Sequence, residues 1–332
     1  MLRRYLDRFP VVLPGLTIAV VISIAATFLS GYYGVPLMLM ALLLGMAVNF
    51  LSADPVCSPG FSFASGTVLR FGVALLGARI TLDGILELGF APVVAAVVCS
   101  LLTIAFGMIA ARLLGLPRDF GILTGGATGI CGASAALAIS SVLERKSGSI
   151  ERQTIFTIMV VTTLSTIAMV VYPILTTQLD MSEAAAGLFL GASIHDVAQV
   201  AGAGYGVSPA VGDAATLTKL MRVAMLVPIV LGLSLALLPA GARGAGAPRL
   251  PFFLVAFVVL AVLRNINVIP ASVVGFLSDA SQWMLVTAIS ALGVKTVLKD
   301  LAALGPRSLA LLVLETLFVA GLALSIVLTF GL

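Results

Sequence analysis

The chain's only histidine, His195, stands beside Asp196 in the stretch LGASIHDVAQVAGAG, with Ser193 just before it and Gln199 one helical turn beyond. An imidazole titrates near neutral pH, so His195 with a carboxylate neighbour can take up and release a proton. On a helix His195 and Gln199 share a face at i, i+4, and Asp196 is turned from them by about 100°. A second polar stretch reads LTGGATGICGASAALAISS, with Gly125, Gly126, Gly129 and Gly132 set among Thr124, Thr128, Cys131 and Ser134. Glycines let a helix unwind cheaply. Unwound backbone offers free N–H groups at one half-helix end and free carbonyls at the other, which makes an anion or cation site. Each stretch also has a plainer reading. Gly125, Gly129 and Gly132 would make a small-residue packing face, and His195 could simply tie two helices together.

These residues have to be positioned inside a bilayer. The chain has 332 residues, 61% apolar and only 10% charged, with a mean hydropathy of +1.21, far from the balance of a soluble domain. A hydrocarbon core about 30 Å thick takes roughly 20 apolar residues per helical crossing. Windows of that kind fall at 11–30, 35–50, 62–80, 90–114, 120–143, 154–176, 184–204, 216–238, 250–268, 273–294 and 308–332. Alternating ten-residue patterns are absent, so helices are favoured over a barrel. The expectation is an all-α polytopic membrane protein of ten to eleven transmembrane helices, two of them discontinuous, forming one transmembrane domain over 1–332 with no soluble domain. The first window follows a basic start and reads as a retained span. Only 239–251, PAGARGAGAPRLP, has the composition of a linker.

Other residue types narrow the function. Cys57, Cys99 and Cys131 form neither a disulfide framework nor a metal cluster, and no cofactor or metal is expected. The formal charge of +4 comes without basic runs interleaved with aromatics, which argues against nucleic acid as a partner. Loop charges place the N-terminus inside, although Arg145, Lys146 and Arg152 fit only if the fifth and seventh windows are re-entrant. Arg70 and Glu315 fall within spans and could pair, snorkel or line a path. Lys219 and Arg222 in TLTKLMR share a face; they read as a pair drawing an anion to a cavity mouth or as interfacial snorkelling side chains. An internal echo joins LGARITLDGILELG (76–89) to LGVKTVLKDLAALG (292–305), aligning Arg79 with Lys295. Echoes of this kind mark the inverted repeats of secondary transporters; the plainer reading is that two membrane helices leave the bilayer through similar residues by chance.

The motifs GGATGICGASAALA, LGASIHDVAQVAGAG and ALGVKTVLKDL resemble the bacterial YeiH-type family, labelled sulfate exporters, over nearly the whole chain. The resemblance implies a multi-pass inner-membrane protein related to the bile-acid symporters and sodium/proton antiporters, with inverted repeats and broken helices crossing near the midplane. It singles out Gly126, Thr128, Cys131, Ser134, His195, Asp196 and Gln199 as solute or ion contacts, to which the residue reading adds Ser193. Gly129 departs from the family's pattern, where a hydroxyl residue is expected. The expected function is secondary transport of a small anionic solute, a sulfate or sulfonate, across the lipid bilayer with H+ or Na+ as coupling ion. No phosphate-binding loop is present, which argues against ATP hydrolysis. Two other readings stay open: an intramembrane hydrolase with Ser134 or Cys131 as nucleophile and His195 as base, and a passive anion channel. The sequence leaves the oligomeric state open.

Overall fold

The computed structural model describes residues 9–33, 35–82, 86, 89–147, 150–237, 252–296 and 305–330. Among these residues there are helices and no strands. Seven helical segments are long and apolar enough to cross a membrane unaided. The other four expected windows fall on two shorter apolar helices and two helices interrupted partway. The fold is therefore an all-α polytopic membrane protein. The linker at 239–251 lies outside the described residues. The contacts divide the chain into two compact units.

The first unit contains α1 (Phe9–Tyr33), α2 (Leu37–Ala47), α3 (Ser58–Phe63) and α4 (Leu69–Leu76), together with α13 (Phe252–Asn265) and α14 (Ala271–Lys295). A π-type turn, Ala64–Val68, joins α3 to α4, and a 3-10 turn, Gly77–Arg79, ends that segment. In this unit α2 packs on α14, and α13 packs on α4. Both contacts are backbone-close because a glycine stands at each. Gly77 faces the Phe257 carbonyl and Gly293 faces the Leu42 carbonyl, so a Cβ at either would overlap main chain. Both helical segments then end alike. Ile80 N–H bonds to Gly77 O at 3.2 Å and Thr296 N–H to Gly293 O at 3.1 Å. Asn265 Nδ2 donates to Ile80 O at 3.0 Å, and Asn49 Nδ2 donates to Val294 O at 2.6 Å and Thr296 O at 3.1 Å. One sequence separation carries Asn49 onto Asn265, Gly77 onto Gly293 and Arg79 onto Lys295. The echo in the sequence is thus matched by duplicated, crossed packing, the arrangement expected of structural repeats. The remaining echo positions, 83–85, 87–88 and 297–304, lie outside the described residues.

The second unit contains α5 (Ala91–Leu113), α6 (Arg118–Gly129), α7 (Ala133–Ser147), α8 (Glu151–Gln178), α9 (Glu183–Ser193), α11 (Pro209–Ala224), α12 (Leu226–Leu237) and α15 (Pro306–Phe330). The helix α10 (Val197–Val207) is divided between the two units. Ser182 and Ser208 cap α9 and α11, accepting the N–H groups of Ala185 and Val211, as serine does at a helix start. Within this unit α6 packs on α5, α9 packs on α11, and α15 touches α5, α6 and α9.

Candidate functional site

Two helices of the second unit stop short inside the apolar part of the chain. The helix α6 has 12 residues and α9 has 11, so each rises about 18 Å or less and cannot cross a 30 Å core alone. The interruptions are at 130–132 and 194–196, and α7 and α10 resume after them. Their causes differ. At the first, Gly132 adopts φ +65°, a left-handed conformation that glycine takes without steric cost. At the second, Ile194 is extended, with φ −68° and ψ 142°.

An interrupted helix leaves carbonyls without partners at its C-terminal end, together with about half a negative charge. Here both C-terminal ends are met by the same two cations from α11. Arg222 Nε donates to Gly129 O at 3.0 Å, and Nη2 donates to Gly129 O at 2.6 Å and Thr128 O at 2.9 Å. Its Nη1 reaches the carbonyls of Gly191, Ala192 and Ile194. Lys219 Nζ bridges the breaks, 2.8 Å from Ile130 O and 2.9 Å from Ile194 O. Both side chains are fully buried. They are therefore not snorkelling and do not sit at a mouth; they act as a shared cap for two helix ends.

A second brace comes from α15. Glu315, fully buried, accepts from Thr124 Oγ1 at 2.7 Å and from Thr128 Oγ1 at 3.3 Å. The adjacent Thr316 lies 3.0 Å from His195 Nε2. Consecutive residues of one helix thus hold α6 and the second break. A third brace comes from α8, where Ser165 Oγ accepts the Asp196 N–H at 3.2 Å and Thr166 Oγ1 accepts from Gln199 Nε2 at 3.4 Å.

The expected site residues gather at these breaks in different roles. Thr128, His195 and Gln199 are fully buried and braced as described. Ser193 ends α9 and donates to Phe189 O at 2.6 Å. Cys131 is buried within the first break. Gly126 faces the Ile139 side chain, and Gly125 and Gly129 face the backbone of α5, so these three serve packing. At Gly129 a Cβ would stand 3.1 Å from Ser100 O and from Thr103 Cβ, so a hydroxyl residue there needs α5 to give by a few tenths of an ångström. Only Gly132 makes the break. Ser134, on the first turn of α7, is exposed, and Asp196 is half-buried. A Cβ at Gly132 would lie 3.7 Å from Asp196 Cβ and 3.8 Å from His195 O, so the two interruptions adjoin. His195 Nε2 is bonded to Thr316, not to Ser134 or Cys131. Among the described residues no group of three or more His, Cys, Asp or Glu could hold a metal ion. Sequence reasoning missed Thr316, Ser165 and Thr166 as braces, and it misplaced the depth of Lys219 and Arg222.

Known proteins share this chain almost end to end. The family model described as conserved hypothetical protein 698 matches residues 14–312. A UPF0324 membrane protein of Chlorobaculum tepidum is 50% identical over 96% of this chain and 89% of its own length. The UPF0324 membrane protein TauZ of Paracoccus denitrificans is 46% identical over 92% of each chain, and one from Rhizobium meliloti is 48% identical over 92% of this chain and 90% of its own. With the family model covering most of the sequence and relatives of this similarity in bacteria, the chain belongs to the UPF0324 family of multi-pass membrane proteins.

Proposed function

We propose that this protein is a secondary transporter of a small solute bearing an anionic group, a sulfate or sulfonate, in the bacterial inner membrane. The observation that carries this reading is the pair of adjoining helix breaks, both of whose C-terminal ends are held by Lys219 and Arg222. Interrupted helices at membrane depth survive only where protein or a wet cavity satisfies them, and transporters use them to hold solutes near the midplane. With the carbonyl ends filled by side chains, the N-terminal end of α7 at the exposed Ser134 is left to meet an anion.

The same arrangement favours protons over sodium as the coupling ion. Sodium in such a crossing would take the free carbonyls, and here those of Ile130 and Ile194 are already occupied by an ammonium group. Asp196, His195 and Glu315 are the groups available to carry a proton. The hydrolase alternative has no nucleophile bonded to His195 to support it, and no observation favours the channel.

The test is flux into proteoliposomes containing the purified protein. Labelled sulfate and a small sulfonate are offered under an imposed pH gradient, with sodium replaced by potassium in a parallel arm. Saturable, pH-driven flux that is indifferent to sodium is expected. Flux that needs sodium would remove the proton assignment, and no flux of either solute above protein-free liposomes would overturn the transporter reading for this solute class.

A further inference from the structure

Glu315 is fully buried near the middle of α15, about 14 Å from the start of that helix. Among the described residues its partners are two neutral hydroxyls, those of Thr124 and Thr128. The buried cations of this unit are committed elsewhere, because Lys219 and Arg222 donate to main-chain carbonyls at the two breaks. The helices packed on α15 are α5, α6, α8 and α9. Their charges lie at their ends: Arg112 in the last turn of α5, and Arg118 with Asp119, Glu151 with Arg152, and Glu183 in the first turns of α6, α8 and α9. Inside those helices the titratable groups are Cys99 and Tyr172. His195, in the second break, meets Thr316 instead of Glu315. A carboxylate buried without a cation is so costly that the group takes up a proton instead.

The surroundings of this carboxyl fit both of its forms. Ionised, Glu315 accepts the protons of Thr124 at 2.7 Å and of Thr128 at 3.3 Å. Protonated, it has one O–H to give. Thr124 can then turn its own proton to Phe120 O at 3.0 Å and accept from Glu315 Oε1, while Thr128 goes on donating to Oε2. Neither form strands a hydroxyl proton. Space is set aside as well. Gly107 of α5 is buried, and a Cβ there would overlap Glu315 Oε1. The carboxyl therefore occupies room that any other residue at 107 would fill.

We infer that Glu315 is the residue that binds the coupling proton. The inference rests on the transporter reading and narrows its three proton-carrying candidates to one. Asp196 and His195 adjoin Ile194, whose carbonyl already takes Lys219 and Arg222, so a proton arriving there adds positive charge beside two cations. At Glu315 it neutralises a carboxylate that has no cation. Uptake forms one O–H bond on Oε1 and is felt at both interruptions. Thr128 links Glu315 to Arg222, whose Nη2 donates to Thr128 O at 2.9 Å, and Thr316 beside Glu315 stands 3.0 Å from His195 Nε2.

The test has two arms, both on the purified full-length protein. In the first, infrared difference spectra between acid and alkaline buffer should show the carbonyl stretch of a buried protonated carboxyl. Glu315→Gln should abolish that band. Thr128→Val keeps the acid and removes one donor to it, so it should move the band to higher frequency. In the second arm, proteoliposomes with the membrane potential clamped at zero are offered labelled sulfate and ethanesulfonate under a gradient of about one pH unit. One coupled proton supports an accumulation ratio of about ten for the solute that is carried, and Glu315→Gln should bring that ratio down to about one. A band that persists in Glu315→Gln, or accumulation by that variant to the wild-type ratio, overturns the inference and leaves transport standing. If Glu315→Gln does not fold or takes up nothing, the Thr128→Val spectrum decides, and an unmoved band there overturns the inference. No uptake by the wild type would sink the transporter reading, and the proton on Glu315 would then stand or fall on the infrared band.

Discussion

The two units deal with polar groups in the membrane in opposite ways. In the first unit, buried hydroxyls are matched among themselves and to backbone: Ser23 Oγ bonds Ala19 O at 2.7 Å and stands 3.2 Å from Ser290 Oγ. Its close contacts are backbone to backbone at Gly77 and Gly293, and its helix ends are finished by Asn49 and Asn265. The second unit buries Lys219, Arg222, Glu315 and His195 completely and, among the described residues, leaves four polar atoms unpaired. Packing that is complete and neutral suits a scaffold. Buried charge and open acceptors cost stability, and they are kept where a solute or proton can use them.

If that contrast is right, the largest loss should follow removal of the cation shared by the two helix ends. Arg222→Leu would leave the carbonyls of Thr128, Gly191 and Ala192 without their donor and Gly129 O with Ser100 Oγ alone. At about 1–3 kcal/mol for each buried unpaired group, we expect destabilisation of more than about 3 kcal/mol, read as a collapse of the melting temperature or of monodisperse yield in detergent. An unchanged melting temperature would mean that the helix ends do not depend on Arg222. The repeat in the first unit gives the next test. Gly77→Ala and Gly293→Ala each press a methyl group into a backbone carbonyl and should each cost about 1–3 kcal/mol. Their losses should be alike. A large loss at one and none at the other would break the equivalence of the two halves.

Much of this was legible in the sequence, and the failures have physical causes. The two interrupted helices were visible because glycine and polar residues are costly in a span without a reason. The depth of Lys219 was not. Hydropathy begins a window near Thr216, because Gly212, Asp213 and the threonines read as polar, whereas the helix starts at Pro209 and carries Lys219 and Arg222 inward. The Ser208–Pro209 pair, a serine cap followed by proline at the first helical position, was the signal that could have found this start. Glu315 stood out as a charge in a span, but its partners Thr124 and Thr128 could not be chosen from a single chain. Ser165, Thr166 and Thr316 gave no signal. In apolar helices a hydroxyl commonly bonds its own backbone one turn earlier, as Thr316 does to Leu312 O, and so looks the same whether or not it also braces a neighbour.

Smaller effects sharpen the contrast further. Asn49→Ala and Asn265→Ala each remove a side-chain cap from the end of a repeat helix, and each should lower stability by about 1 kcal/mol. A double-mutant comparison of Asn49→Ala with Gly293→Ala should be non-additive, because both act on the end of α14, whereas Asn265→Ala with Gly293→Ala should add.

The smallest effect is expected at Gly321. It lies within α15, is exposed, and a Cβ built there meets nothing within 4 Å. Glycine inside a helix costs about 0.5–1 kcal/mol relative to alanine, because the unfolded chain has more freedom to lose. Gly321→Ala should therefore raise the melting temperature slightly and leave solute binding unchanged. It shares α15 with Glu315 and Thr316, so it separates the stiffness of that helix from the contacts it makes. A variant that loses solute binding while keeping its stability would show that the exposed face of α15 near Gly321 takes part in function, and the division between a neutral scaffold and a charged working unit would have to be redrawn to include it.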